Sequence, residues 1–211
     1  MNPLISQIRK KVFLARDGAN VDSLRQRGIN YKMVYGVPII TLRKIAANYF
    51  PDKEIADILW KEDNRELKII STLTQDPDSF EDANQWVDEI NNLELAEQAT
   101  MNLFCKLPDA IRLAKNWVQS DKLYVKNCGF LLYTRLFSQN IPINGEDTVI
   151  YFDSVNEALN SESLLLQNTA LTSLKRLGRQ SVLHAKEILS QFSTNPFYDD
   201  LKFEFDFFFQ I

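Results

Sequence analysis

The sequence predicts an all-α protein, a solenoid of stacked antiparallel helix pairs, and three observations carry that expectation. Gly and Pro number only 6 and 7 in 211 residues, below the average usage of about 7% and 5%. Strand-and-turn folds need such residues at each corner. Apolar residues recur at helical spacing almost from end to end. A short helix, a polar break and a second amphipathic helix also recur along the chain. With 45% hydrophobic and 25% charged residues, the composition is that of a globular chain, which excludes collagen-like repeats and extended disorder. The length suits one domain over residues 1–211.

The elements follow in order. Ile5, Ile8, Val12 and Leu14 predict a first amphipathic helix, and the Gly36-Val37-Pro38 turn precedes a second through Leu42, Ile45, Ala46 and Tyr49. Ile58-Leu59-Trp60 closes a short helix, Glu62-Asp63 breaks it, and another runs through Leu67, Ile70 and Leu73. Trp117-Val118, the break Ser120-Asp121 and a helix through Val125, Cys128, Leu131 and Leu132 repeat the form. Ala158-Leu159, Ser161-Glu162 and a helix through Leu166, Ala170 and Leu174 repeat it again. Ser120 and Ser161 read as N-caps, each followed by an acid that the helix dipole favours.

Placing Glu62, Asn92, Ser120 and Ser161 in register gives intervals of 30, 28 and 41 residues. That spacing belongs to an α-solenoid of HEAT or armadillo type, an alpha-alpha superhelix whose second helices line one concave face. A plain helical bundle is the alternative. Five places after these positions stand Leu67, Val125 and Leu166, but in the Asn92 unit the residue is Glu97. Such a carboxylate either reaches into a groove or marks a slip in register, because burial without a partner costs several kcal/mol. The groove is the favoured reading. Lys68, Gln98, Lys126 and Gln167, one place further on, form a polar ladder expected along the same groove.

Charge is segregated beneath a net −4. Residues 1–50 hold nine Lys or Arg against two Asp, and residues 51–100 hold four against fourteen acids. An acidic total argues against a nucleic-acid surface all over the molecule but leaves room for one basic face. The alternative is two solvated blocks that attract each other. No apolar run reaches the roughly 18 residues of a membrane span, and residues 1–18 carry no signal-type run, so a cytoplasmic protein without a membrane partner is expected. Cys105 and Cys128 lie in helix-like runs and read as small buried hydrophobes. The single histidine, His184, leaves no metal-ligand set and reads as an ordinary residue of the last helix. No phosphate loop or Ser/His/Asp set can be assembled, and no cofactor is expected. Residues 197–211 hold six of the 14 Phe, and Lys202 to Phe207 alternate polar and aromatic, a strand signature. The segment reads as a cap over the last repeat or as an interaction segment.

Gly36-Val37-Pro38 with Leu42-Arg43-Lys44, Leu59-Trp60 followed by Glu66, and Trp117-Val118-Gln119-Ser120-Asp121 leading into a helix resemble the HEAT-like DNA alkylation repair proteins, the AlkD-like DNA glycosylases. The resemblance runs over roughly Gln7 to Ser193. It implies a C-shaped solenoid that grips duplex DNA and releases N3- or N7-alkylated purines, with a catalytic carboxylate and flanking tryptophans. Such chemistry is sound: loss of a cationic base develops positive charge on the sugar, which a carboxylate and aromatic faces stabilise.

The family motif has the form Asn-Trp-Asp-Leu-Val-Asp, and the matching run here is Asn92-Leu93-Glu94-Leu95-Ala96-Glu97. Glu97 thus stands at the catalytic place and Leu93 at the tryptophan. Asn127 stands where the family has an arginine, and Thr172 replaces a second tryptophan. Arg135 and Lys175 match positions that contact the DNA backbone. A Glu is one methylene longer than an Asp, and a misplacement of about 1 Å can cost on the order of a hundredfold in rate. Each lost aromatic wall removes about 0.5–2 kcal/mol. The expectation is a divergent member that binds duplex DNA through Arg135, Lys175, Lys126, Lys68 and Asn127 with weak or absent glycosylase activity. The alternatives are an active glycosylase using Glu97 and a module that binds a protein partner.

Overall fold

The structure, a computed structural model, describes residues 2–209. It is all-α, as expected: among the described residues there are thirteen α-helices, two short 3-10 turns and no strand, only an isolated bridge between Met33 and Asn64. Where the sequence suggests one domain, the chain divides into two compact units, Met1–Pro108 and Asp109–Ile211. The first unit holds α1 (Pro3–Leu14), α2 (Gly18–Gln26), α3 (Ile39–Ala46), α4 (Lys53–Trp60), α5 (Arg65–Thr74), α6 (Ala83–Asp88) and α7 (Leu93–Asn102). Within it α4 pairs with α5, and α5 lies between α3 and α7. The second unit holds α8 (Ala110–Val118), α9 (Leu123–Ser138), α10 (Glu146–Leu159), α11 (Leu164–Gly178), α12 (Val182–Gln191) and α13 (Tyr198–Phe209). Here α9, α11 and α13 form one row, with α8 paired to α9, α10 to α11 and α12 to α13.

Side-chain caps start the second helices. Asn64 Oδ1 accepts from Leu67 N at 2.9 Å, Asn92 Oδ1 from Leu95 N at 3.0 Å and Ser163 Oγ from Leu166 N at 3.4 Å. Helix α9 begins after Lys122, which makes no side-chain cap. Three of the four helices therefore start two residues later than Glu62, Ser120 and Ser161 suggest, while Asn92 caps its helix directly. Aligned on the true starts, the third position in every unit is apolar and buried: Leu67, Leu95, Val125 and Leu166. Glu97 is not the odd member of that set. The favoured groove reading is corrected to a slip in register, and Glu97 lies exposed on α7.

The C-terminal expectation of a strand is also corrected. Residues 198–209 form α13, with Leu201 and Phe205 fully buried on one face and Phe203 and Phe207 exposed on the other. Phenylalanine on both faces of a helix mimics a period of two over six residues. Asp199 and Asp200 suit the positive end of the helix dipole, and Lys202 pairs with Asp206 one turn later at 2.6 Å.

Each unit has an aromatic core. Trp60 and Trp86 stack at 4.1 Å with Phe80 edge-on to Trp86, and Tyr133, Phe137 and Tyr151 cluster in the second unit.

A buried ionic latch holds the first unit together. Glu66 has no solvent exposure. It accepts backbone N–H bonds from Tyr35 at 3.0 Å, Gly36 at 2.9 Å and Val37 at 3.3 Å, and a guanidinium bond from Arg65 at 2.8 Å. Arg65 in turn grips Glu94 of α7 with two bonds of 2.6 and 2.7 Å and donates to Val37 O at 3.0 Å. Gly36 adopts φ of 73°, and an added Cβ would lie 2.2 Å from Asp17 O, so only glycine fits the turn. Removing one partner from a buried charge pair costs about 3–5 kcal/mol. Glu66→Ala is therefore expected to destabilise the protein by about 3–5 kcal/mol in urea unfolding, whereas Glu62→Ala, at a half-exposed pair, should change it by less than about 1 kcal/mol.

Candidate nucleic-acid interface

The two charge blocks do not neutralise each other. Arg9 pairs with Glu62. The other eight cations of residues 1–50 are exposed, and among the described residues none of them pairs with a carboxylate. Lys11 Nζ lies 5.0 Å from the centre of the Tyr49 ring and the Arg16 guanidinium 4.3 Å from that of Phe13, cation–π contacts made by side chains that remain exposed.

Part of the acid-rich block is satisfied from within. Asp52 and Asp76 accept backbone N–H bonds at helix starts, Asp57 and Asp82 hold Lys53, Glu66 and Glu94 hold Arg65, and Glu89 holds Lys68. A cleft of about 420 Å³ beside the Arg9–Glu62 pair places Lys32 and Lys61 with Tyr35 and Asn64.

Helix α7 carries the run matched to the glycosylase motif. Leu93, Glu97 and Met101 follow one another at one-turn spacing on its outer side, Leu93 being 39% exposed. The Met101 sulfur receives an Arg43 guanidinium bond at 3.6 Å, which brings a cation of α3 to the turn after Glu97. No indole joins this stripe. Trp60, Trp86 and Trp117 are buried, at 2–3% exposure, and none offers a face to a base. The sequence search for a site did not single out Arg43 as a site residue; the signal available was the basic excess of residues 1–50.

Three expected DNA contacts serve the scaffold. Lys68 donates to the final carbonyl of α4, Trp60 O, at 2.6 Å, lies 4.3 Å over that indole and approaches Glu89 at 3.6 Å. Burial lowers its pKa, opposed by Glu89. Lys126 is buried and bonds Glu157 of α10 at 2.6 Å. Asn127 has no exposure, and its Oδ1 accepts from Thr169 Oγ1 of α11 at 2.7 Å. Gln167 bonds Ser161 O at 2.6 Å in the same manner. These residues sit early in second helices and tie them to the end of the preceding helix or to the next repeat, where unsatisfied carbonyls need donors. They do not form the polar ladder expected in a groove.

Arg135 and Lys175 are on the outside of the second unit's row. Arg135 is exposed on α9, and among the described residues no carboxylate pairs with it. Lys175 on α11 pairs with Asp200 of α13 at 2.6 Å. Thr172, also exposed on α11, bonds Asn168 O at 2.7 Å. Glu97 and Lys68 belong to the first unit, and Lys126, Asn127, Arg135 and Lys175 to the second. Among the described residues no group of three or more His, Cys, Asp or Glu could hold a metal ion, and no helix is long and apolar enough to cross a membrane. His184 lies in α12, its Nδ1 3.1 Å from the capping hydroxyl of Ser181.

The family described as DNA alkylation repair enzyme matches residues 11–190. Among solved structures, the chain is similar to a protein of a family described as related to the HEAT-like repeat DNA glycosylases, with affinity for branched DNA structures. That match has a TM-score of 0.81, 12% identity, and covers 96% of this chain and 94% of the other. At that identity the likeness speaks to the fold. No curated protein matches the chain.

One titration reports on the mounting of α7. The Tyr31 hydroxyl accepts from Asn92 Nδ2, on the α7 cap, at 2.8 Å. Burial pushes its pKa up from 10.0 to about 12, partly opposed by that bond. The fold thus favours the neutral phenol, so its contribution is complete below pH 10 and lost as pH rises through about 12. Urea unfolding is expected to show falling stability across that window, and Tyr31→Phe is expected to flatten the fall.

Proposed function

The chain belongs to the DNA alkylation repair enzyme family, and from that premise we propose that it binds DNA through exposed cations without excising alkylated bases. The observation that carries the reading is the basic surface of residues 1–50, eight exposed cations that no carboxylate neutralises among the described residues. Charges left unpaired on a protein of net −4 are available to phosphates. Each phosphate neutralised releases counterions and adds about 0.9 to the slope of log K against log salt. Arg135 and Lys175 add phosphate contacts from the second unit, and such contacts position the duplex without reading its sequence. Lys68 and Lys126 are left out of the interface because their ammonium groups are held by scaffold partners, and Asn127 because it has no exposure.

The absence of excision follows from the chemistry available around Glu97. Its carboxylate is present, but Leu93 stands one turn before it where the family motif has a tryptophan, and all three tryptophans are buried. An oxocarbenium-like sugar and a departing cationic purine would lack the quadrupoles that stabilise them. The solved relative's affinity for branched DNA makes a four-way junction a second substrate to test beside a duplex.

Titration of a labelled duplex and a junction at several salt concentrations tests this reading. Binding at low salt should weaken steeply with added salt. Replacing Lys10, Lys11, Arg43 and Lys44 together with Gln should lower the slope by about 0.9 for each of the four that contacts a phosphate. An unchanged slope in the variant, or no binding at low salt, would remove the basic surface as the interface.

A further inference from the structure

The second unit carries its own occupant of a phosphate-binding row. The last two turns of α11 place Lys175, Arg176 and Arg179 together, and two of these three cations are covered by carboxylates of α13. Lys175 Nζ lies 2.6 Å from Asp200 Oδ2, and the Arg179 guanidinium pairs with Glu204. Lys175 and Arg179 are four residues apart on one helix, Asp200 and Glu204 four apart on the other, so both pairs repeat at about 6 Å, one helical turn. Arg179 is also 5.6 Å over the Phe208 ring.

The helix that delivers these acids is firmly seated. Leu201 and Phe205 are fully buried, and α11 thins to glycine where Phe205 arrives: a Cβ at Gly178 would lie 2.2 Å from the ring. The opposite face of α13, with Phe203 at 73% and Phe207 at 81% exposure, packs on nothing among the described residues. Asp200 has a side-chain exposure of 50%, while Glu204 is mostly buried at 19%.

We propose that Lys175 and Arg179 form a binding site for successive phosphates of one DNA strand, and that Asp200 and Glu204 hold this site as built-in phosphate mimics. DNA then enters the row by competing with two carboxylates. The inference rests on the reading that the chain binds DNA, and adds which cations of the second unit take part and what limits them. Exposed ion pairs are worth about 0.2–1 kcal/mol each, so α13 weakens binding without abolishing it and makes the affinity sensitive to anything that engages its outer face.

The test compares the full chain with the Asp200→Asn/Glu204→Gln variant on a labelled duplex across a salt series. The variant is expected to bind about tenfold more tightly at low salt, with a slope steeper by about 0.9 for each restored contact. Asp199→Asn removes half as much charge from the same helix and should give far less than half of that gain in binding free energy. In a Lys175→Gln/Arg179→Gln background the gain should vanish. Thermal unfolding of each variant verifies that α13 stays folded. Equal affinity and slope for the variant and a salt-sensitive parent would overturn this inference and leave the DNA-binding reading intact. Half of that gain or more from Asp199→Asn, or a gain that survives in the Gln background, would also overturn it by assigning the effect to net charge. Absence of DNA binding in every chain would overturn both.

Discussion

A carboxylate with no exposure to water must be held by donors on every side, and Glu66 is held by three successive backbone N–H groups and a guanidinium. That demand fixes the Tyr35-Gly36-Val37 turn against α5. Arg65, needed by Glu66, also reaches Glu94 and so fixes the first turn of α7. One buried charge thereby links the entry to α3, the start of α5 and the start of α7, three helices that pack side by side in the first unit. Lys53, Arg65 and Lys68 take partners within residues 51–100, and apart from Arg9 the basic residues of 1–50 face water without a carboxylate partner among the described residues.

Much of the scaffold was legible from residue spacing, and the misreadings have local causes. Ser120 Oγ accepts from Lys122 N at 3.1 Å and Ser161 Oγ from Ser163 N at 3.3 Å. Both serines make small turns just ahead of a helix, and such turns share the composition of an N-cap. That two-residue offset made Glu97 look like a polar intruder among apolar positions. Helix α2 escaped notice because Leu24 is its only buried residue, which leaves no apolar stripe to detect. Helix α13 read as a strand because aromatic residues occupy both of its faces. The cations assigned to DNA at Lys68 and Lys126 could not be separated by sequence from exposed lysines; their partners, Trp60 O and Glu157, lie 8 and 31 residues away along the chain.

Apart from the exposed Arg43 and Lys44, the glycine, glutamate and tryptophans that carried the family resemblance turn out to be structural. Gly36, Val37 and Glu66 form the latch, Trp60 stacks on Trp86, and Trp117 is buried in α8. Scaffold and chemistry are encoded separately in this chain, so the fold persists with all three tryptophans buried and none beside the α7 run matched to the glycosylase motif. A shared solenoid does not fix what is done on its surface. What this chain retains is a charge pattern: open cations in the first unit, and in the second an exposed Arg135 beside a row shielded by α13.

The central claim, binding without excision, is tested most directly by one duplex carrying a single N7-methylguanine and its unmodified twin, each held at saturating protein. Equal affinities for the two, with no free base released over a long incubation, are the predicted result. Release of the methylated base at a rate above that of DNA alone, abolished by Glu97→Gln, would contradict it.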